Sequence, residues 1–347
     1  MPHIAVNGTS IFYEVLGSSP YDALAGPLAA DGALVVLHHG WTGDGTSWTQ
    51  CAHALLARMP HLSVVIPDAR GAGRHGSGEG SADADFSIAQ LAADAAGLIR
   101  CLQDEAAAAA AAAAAVPPTA ERKRVVFAGF SMGGQVGVQL ALTAPELLHG
   151  LVLVAPAKLD GIRGVPAAFH AEAQRARREQ QQSAARREDL LRQMVVLEPR
   201  AHDNLVASRG ARRALERAAG GALQRALEAD QAGSLEVHLD CASEAHFSQL
   251  WRAMVSFRPE HAHPDGLKAL ATPTLMVAGA ADDILLGNLE DFKALRRTAT
   301  LHVFSRVGHG IPRQAPTELA HVIADFLHHG VVTGYHLRQE MRLKGLL

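Results

Sequence analysis

The stretch that decides the fold lies at residues 125–134 and reads VVFAGFSMGG. Its first half is an unbroken apolar run, typical of a strand buried on both faces. Residues 129–133 match the pattern G-x-S-x-G, with Ser131 at the centre. In that pattern a tight turn joins a strand to a helix, and glycines flank the serine because the turn leaves no room for side chains. The turn lifts the serine Oγ clear of the sheet, so the pattern predicts that Ser131 is a nucleophile.

Apolar runs of the same kind recur on both sides of this stretch. They are Ala33–Leu37, Leu62–Ile66, Leu151–Val154, Thr274–Ala278 and Leu301–Phe304. Between most of them lie segments with helical periodicity, at 47–59, 86–104, 132–144 and 315–328. Strands and helices that alternate in this way predict an α/β protein with an open, mostly parallel twisted sheet covered by helices. Near the N-terminus, Asn7-Gly8 between two alternating runs predicts an antiparallel hairpin.

The alternation stops between about 157 and 265, where the sequence indicates helices only. We therefore expect three parts: a first core segment at 1–157, an all-helical cap insertion at 158–265, and a second core segment at 266–347. Two apolar helical faces support the insertion. They consist of Leu190, Leu191, Met194 and Val195, and of Phe247, Leu250, Trp251, Met254 and Phe257.

Two segments have no role in this scheme. Residues 106–115 are ten consecutive alanines, which either lengthen the preceding helix or fray. Ten residues are too few to cross a bilayer. The polar tail at 331–347 follows the last predicted helix.

Composition limits the possible partners. The formal net charge is −3, which argues against a nucleic-acid partner because phosphate binding needs clustered positive charge. No apolar run is long enough to predict a membrane span, and residues 1–16 do not resemble a signal peptide. The three cysteines, Cys51, Cys101 and Cys241, form neither a CxxC pair nor a disulfide framework. We expect a cytoplasmic protein with a small-molecule substrate; the oligomeric state stays open.

A serine hydroxyl is a weak nucleophile and needs a base. His309 stands between Gly308 and Gly310, just beyond the last predicted strand, where an imidazole is free to reach Ser131. The chain has nineteen histidines, and this position singles out His309 among them.

The residue that orients the base should follow the penultimate strand. Asp282 and Asp283 both stand there, and we favour Asp282 because of its Gly-x-x-Asp spacing from Gly279. Its carboxylate would hold the imidazole in the working tautomer and stabilise the imidazolium. Asp160, beyond the strand at Leu151–Val154, is a third candidate.

When a serine attacks a carbonyl group, the carbonyl oxygen becomes negative. Two N–H groups must face that oxygen to stabilise it. One is the backbone N–H of Met132, and the other is predicted to be that of Trp41, in the loop after the first buried strand. The neighbouring pair His38-His39 invites comparison with a metal site, but no third ligand stands at a suitable spacing. We therefore expect no metal and no cofactor.

Together these segments resemble the α/β-hydrolase family, in its serine-nucleophile branch with a helical cap. His39-Gly40 is similar to the family's HG turn, residues 68–73 to its D-x-R-G-x-G loop, and Gly308-His309 to its late GH. The resemblance covers about 1–157 and 266–329. One departure is Arg74, where the family usually has serine. A serine nucleophile argues against the dehalogenase and epoxide-hydrolase members, which use a carboxylate.

The resemblance implies hydrolysis of a carboxylic ester or lactone through an acyl-enzyme. Phe247, Trp251 and Phe257 indicate a small substrate with an apolar acyl or alcohol group, although core packing of the cap explains these residues equally well. Three alternatives stay open. The scaffold could serve as a small-molecule receptor with slow or no turnover, as a carbon–carbon hydrolase, or as a cofactor-free haloperoxidase-like enzyme.

Overall fold

The computed structural model describes residues 3–19, 34–41, 43–73, 85–112, 125–159, 244–282, 285–295 and 297–329. The alternative acids Asp160 and Asp283 lie outside the described residues. So do the tail at 331–347 and most of the predicted cap, including its apolar face at 190–195.

Eight strands of the described residues form one sheet, in the order β1-β2-β4-β3-β5-β6-β7-β8. Their bounds are β1 His3–Val6, β2 Thr9–Gly17, β3 Leu34–His38, β4 Ser63–Pro67, β5 Val125–Phe130, β6 Gly150–Val154, β7 Thr274–Gly279 and β8 Ala299–Phe304. Strand β2 pairs antiparallel with β1 and β4, and the pairs from β4 through to β8 are parallel. The predicted mostly parallel sheet is confirmed.

The N-terminal hairpin is also confirmed. Val6 pairs with Thr9, so the loop consists of Asn7 and Gly8 alone. Both have positive φ, 47° and 73°. This is the backbone that a two-residue hairpin turn requires, and asparagine and glycine adopt it most readily.

Helices cover both faces of the sheet. Their bounds are α1 Thr49–Arg58, α2 Ile88–Ala112, α3 Met132–Thr143, α4 Glu244–Ser256, α5 Leu285–Leu295, α6 Ile311–Gln314 and α7 Pro316–His329. Short 3-10 turns lie at Gly45–Trp48, Pro145–Leu147, Pro259–His261 and Gly266–Ala269. None of the helices in the described part of the chain is long and apolar enough to cross a membrane.

The core lies in two layers because successive side chains of a strand point to opposite faces. On β3, Leu34 and Val36 pack into one cluster with residues of α2, α3 and α4. Val35 and Leu37 pack into the other, with residues of α1 and α7. Both faces of β3 are therefore buried, as its unbroken apolar run predicts.

Helix α4, which the sequence assigns to the cap, packs into the core of the sheet domain. Leu250, Met254 and Phe257 are buried in the cluster that contains the β3 residues, and Trp251 is partly buried against it. The predicted helical face is therefore confirmed, and its contacts are with the core.

The alanine tract continues α2 as far as Ala112. Because α2 precedes β5, this end of the helix lies towards the amino ends of the strands, whereas ligands of such sheets bind beyond the carboxyl ends. We expect that shortening 106–115 to two alanines leaves kcat/KM within about twofold of the parent. Ester kinetics with circular dichroism check this, and a large loss in a normally folded variant would contradict the placement.

Candidate active site

Ser131 occupies the turn between β5 and α3, with φ 52° and ψ −113°. A non-glycine residue at positive φ costs on the order of 1–3 kcal/mol and persists only where its surroundings hold it. Here the Ser131 N–H donates to the Val154 carbonyl at 3.0 Å, and the Ser131 carbonyl accepts from the N–H groups of Gly134 (2.9 Å) and Ala157 (3.0 Å). These three bonds fix the serine at the carboxyl end of the central strand.

The glycines around the serine are required by close contacts. A Cβ on Gly129 would collide with the carbonyl of Gly133. A Cβ on Gly133 would lie 2.6 Å from the His38 carbonyl oxygen, and one on Gly134 would lie 2.7 Å from Cβ of Pro156. The steric reason given for the G-x-S-x-G pattern therefore applies to both of its glycines, Gly129 and Gly133, and also to Gly134 next to it.

The structure brings Ser131, His309 and Asp282 together. Nε2 of His309 lies 3.0 Å from Oγ of Ser131, and Nδ1 lies 3.0 Å from Oδ2 of Asp282. The Asp282 side chain is 2% exposed and that of His309 is 29% exposed. An imidazole that carries its proton on Nδ1 donates to the carboxylate and leaves Nε2 as an acceptor for the serine proton.

The two loops that carry Asp282 and His309 are tied to each other. After β7, the N–H groups of Ala280 and Ala281 donate to the carbonyls of Phe304 (2.8 Å) and Val307 (3.0 Å). The N–H of Gly308 donates to Oε1 of Gln314 at 2.7 Å, which holds the loop beyond β8 against α6. Asp282 and His309 thus have fixed positions relative to each other.

The loop that carries Trp41 lies against the serine turn, and Met132 directly follows Ser131. Gly40 approaches so closely that a Cβ on it would be 3.1 Å from Cβ of Ser131. Trp41 follows directly. Met132 is the first residue of α3, where a helix offers N–H groups that have no acceptor within the helix itself.

His38 and His39 are buried beneath this loop. Nδ1 of His39 lies 2.7 Å from the Gly40 carbonyl, and Nε2 accepts from the Ala69 N–H at 2.9 Å. Since Nε2 accepts a hydrogen bond, Nδ1 is the ring nitrogen that donates to Gly40. The pKa of His38 is lowered to about 3, mainly by burial and to a smaller extent by the neighbouring His39. The described residues contain no group of three or more His, Cys, Asp or Glu that could hold a metal ion.

The segment at 68–73 fixes the neighbouring loops. Oδ1 of Asp68 accepts from the N–H of Gly45 at 2.8 Å. The guanidinium of Arg70 makes a bidentate ion pair with the buried Asp94, at 2.8 and 2.9 Å, and donates to the carbonyl of Asn7 at 3.1 Å. These contacts join the N-terminal hairpin and α2 to the loop after β4.

Sequence reasoning missed Gln135, which lies one helical turn after Ser131 and is fully buried. Its amide nitrogen donates to the carbonyls of Lys158 (2.8 Å) and Met254 (3.1 Å). It therefore joins the helix that begins beside the serine to α4 and to the segment after β6. The available signal was a polar residue on an otherwise apolar helix, in MGGQVGV at residues 132–138, which indicates a buried contact without naming its partner.

A family model described as "Alpha/beta hydrolase family" matches residues 35–322. The chain belongs to this family. The match confirms the resemblance that the motifs indicate, and it covers most of residues 1–157 and 266–347 together with the region between them.

A curated relative and two solved structures illustrate the likeness. Over 144 residues the chain is 31% identical to a "Putative carbamate hydrolase RutD" of Serratia proteamaculans (strain 568). That match spans 42% of this chain and 42% of the relative's length.

An esterase from Exiguobacterium antarcticum superimposes with a TM-score of 0.62, at 18% identity, over 94% of this chain and 98% of that one. The enol-lactonase from Burkholderia xenovorans LB400 gives 0.61 at 20% identity, over 94% and 99%. At these identities the likeness concerns the fold.

Proposed function

We propose that this hydrolase cleaves a carboxylic ester or lactone of a small, apolar molecule through an acyl-enzyme on Ser131. The observation that carries the proposal is the contact of His309 with both Ser131 Oγ and Asp282 Oδ2, each at 3.0 Å. A hydroxyl, an imidazole and a buried carboxylate in this arrangement are the parts that activate a serine.

The reaction follows from the positions of these groups. Nε2 of His309 takes the serine proton while Oγ bonds to the carbonyl carbon, and the carbonyl electrons move to its oxygen. In our proposal the N–H groups of Trp41 and Met132 stabilise this oxyanion. The bond to the alcohol then breaks, and His309 gives its proton to the leaving oxygen. Water repeats the sequence on the acyl-enzyme and releases the acid. The carboxylate of Asp282 stabilises the imidazolium that forms in both steps.

The apolar surroundings of the serine support an apolar substrate. The ring of Phe130 lies 5.1 Å from that of His309, and the loop that carries Trp41 approaches Ser131 at Gly40. An esterase and an enol-lactonase share the fold, so the fold is compatible with cleavage of an open-chain ester or of a lactone.

A carbamate is the second candidate, because a curated relative bears the name of a carbamate hydrolase. A carbamate carbonyl is attacked in the same way, and the site geometry alone does not separate the two substrates.

The test is a substrate panel run on the purified protein. It contains p-nitrophenyl esters with two to eight acyl carbons, γ- and δ-lactones, and a p-nitrophenyl carbamate. We expect turnover of at least one ester or lactone. Turnover of the carbamate alone would favour the second candidate. Binding without turnover of any of them would point to a receptor and would overturn the proposal.

We also propose that the region at 158–265 covers the site as a cap, with core segments at 1–157 and 266–347, and that the protein works in the cytoplasm. The position of α4 supports the first point, because this helix is attached through Gln135 to the helix that begins beside Ser131.

His39 provides a prediction about the proposed oxyanion loop. In His39→Asn, the amide nitrogen takes the place of Nδ1 and keeps the bond to the Gly40 carbonyl. In His39→Gln, the more distant amide oxygen takes the place of Nε2 and keeps only the bond from Ala69. We expect kcat to fall by about 10² in the glutamine variant, as when an oxyanion donor is lost, and much less in the asparagine variant. KM should change little in both.

The measurement is steady-state kinetics on one activated ester, with melting temperatures alongside. Equal losses of kcat in the two variants would show that the imidazole matters for packing and not for the position of Gly40.

A further inference from the structure

The indole of Trp251 on α4 packs against the indole of Trp41. The two ring centroids are 4.7 Å apart and the planes are tilted by 44°. Trp41 is only 6% exposed, whereas Trp251 is partly exposed. The accessible surface of the pair therefore belongs mainly to Trp251, next to the residue whose N–H we assign to the oxyanion hole.

Helix α4 gives Trp251 a fixed position relative to the nucleophile. Its neighbours Leu250 and Met254 are buried in the sheet core. The Met254 carbonyl accepts a hydrogen bond from Gln135 at 3.1 Å, and Gln135 lies one turn beyond Ser131. Helix α4 is thus attached to the region of the serine turn through two contacts, one from Trp251 to Trp41 and one from Met254 to Gln135.

The order of the strands decides which part of a substrate meets this pair. Strand β3 adjoins β5 on one side, and β6, β7 and β8 follow on the other. Trp41 therefore approaches Ser131 from one side, while Asp282 and His309 approach it from the other. Because His309 must protonate the leaving group, the leaving group lies on the histidine side. The acyl group that stays on Ser131 then extends towards the two indoles.

We propose that Trp251 is a specificity-determining residue that closes the acyl side of the site and restricts it to short or compact acyl groups. The proposal rests on the serine-hydrolase function given above. It predicts a preference for short acyl chains in the parent enzyme, and it predicts that a smaller residue at position 251 relaxes this preference.

The experiment compares kcat/KM for p-nitrophenyl butanoate and p-nitrophenyl octanoate. In Trp251→Ala, we expect the octanoate-to-butanoate ratio to rise by about tenfold or more, because each newly buried methylene contributes about fourfold. Trp251→Phe keeps a ring and should stay near the parent, which guards against a variant that fails to fold. Trp48→Phe is the matched control, since Trp48 is fully buried in the other core cluster and should leave the ratio unchanged.

A second substrate series separates specificity from general damage. For ethyl and octyl butanoate, which differ only in the alcohol, the preference should be the same in the parent and in Trp251→Ala. Two results would show that Trp251 does not limit the acyl side: an unchanged octanoate-to-butanoate ratio, or equal changes in this ratio and in the octyl-to-ethyl ratio. The proposed function would stand in both cases.

A binding measurement tests whether Trp251 restricts the acyl side even if no ester is hydrolysed. Butanoate and octanoate are titrated calorimetrically into Ser131→Ala and into Ser131→Ala combined with Trp251→Ala. Removal of the indole should improve the affinity for octanoate relative to butanoate by about tenfold. An unchanged ratio would overturn the inference, whereas absence of turnover in the parent would overturn the proposed function.

Discussion

Ser131→Ala should lose nearly all ester hydrolysis, on the order of 10⁶ in kcat, and should keep its fold. Without Oγ no acyl-enzyme forms, and His309 has no proton to take from the side chain. Alanine accepts the strained backbone of the turn as well as serine does, because both carry a Cβ. The melting temperature should therefore stay close to that of the parent. Turnover of p-nitrophenyl butanoate and a melting curve measure the two effects.

A fluorophosphonate probe gives an independent measurement, because it bonds to an activated serine without any need for the right substrate. It should label the parent protein at Ser131 and leave Ser131→Ala unlabelled. Ser305, an exposed serine in the loop before His309, provides the matched control. Ser305→Ala should be labelled and should hydrolyse esters like the parent. Full activity in Ser131→Ala would remove the basis of the proposed function.

The sheet and the order of the site residues could be predicted from the sequence because both depend on local patterns. Buried parallel strands appear as apolar runs. Asn7 and Gly8 readily adopt the positive φ angles that a two-residue hairpin turn requires. Ser131, Asp282 and His309 each follow a strand at its carboxyl end, and parallel strands bring these ends to one edge of the sheet. Ser131 and His309 are 178 residues apart in the chain and lie 3.0 Å apart in the structure.

Contacts within the site could not be predicted, because they join segments that no local pattern relates. The bond from Gln135 to Met254 spans 119 residues, and the packing of Trp41 on Trp251 is a tertiary contact of the same kind. The burial of α4 against the sheet also depends on tertiary packing. Its apolar face, with Leu250 and Met254, predicts a buried helix, but any apolar surface could have covered it.

Asp282→Asn should reduce turnover by about 10⁴ while the melting temperature changes little. The amide has nearly the same shape as the carboxylate. However, its NH₂ group can donate to Nδ1 of His309, which favours the tautomer with the proton on Nε2. That proton points at Ser131 Oγ, 3.0 Å away, so the imidazole can no longer accept the serine proton. The amide also carries no charge to stabilise an imidazolium. Kinetics on one activated ester measure the loss.

Asp291→Asn is a matched control for this prediction, because Asp291 is a buried aspartate that accepts from the Leu159 N–H at 2.9 Å. Asp291→Asn weakens this hydrogen bond, so it should lower the free energy of unfolding by about 1–3 kcal/mol and leave turnover nearly unchanged. Asp283→Asn and Asp160→Asn complete the series as the other two sequence candidates and should keep nearly full turnover. A 10⁴-fold loss in one of these two, with Asp282→Asn active, would show that a different carboxylate orients His309 during catalysis. The 3.0 Å contact between Asp282 and His309 would then be structural.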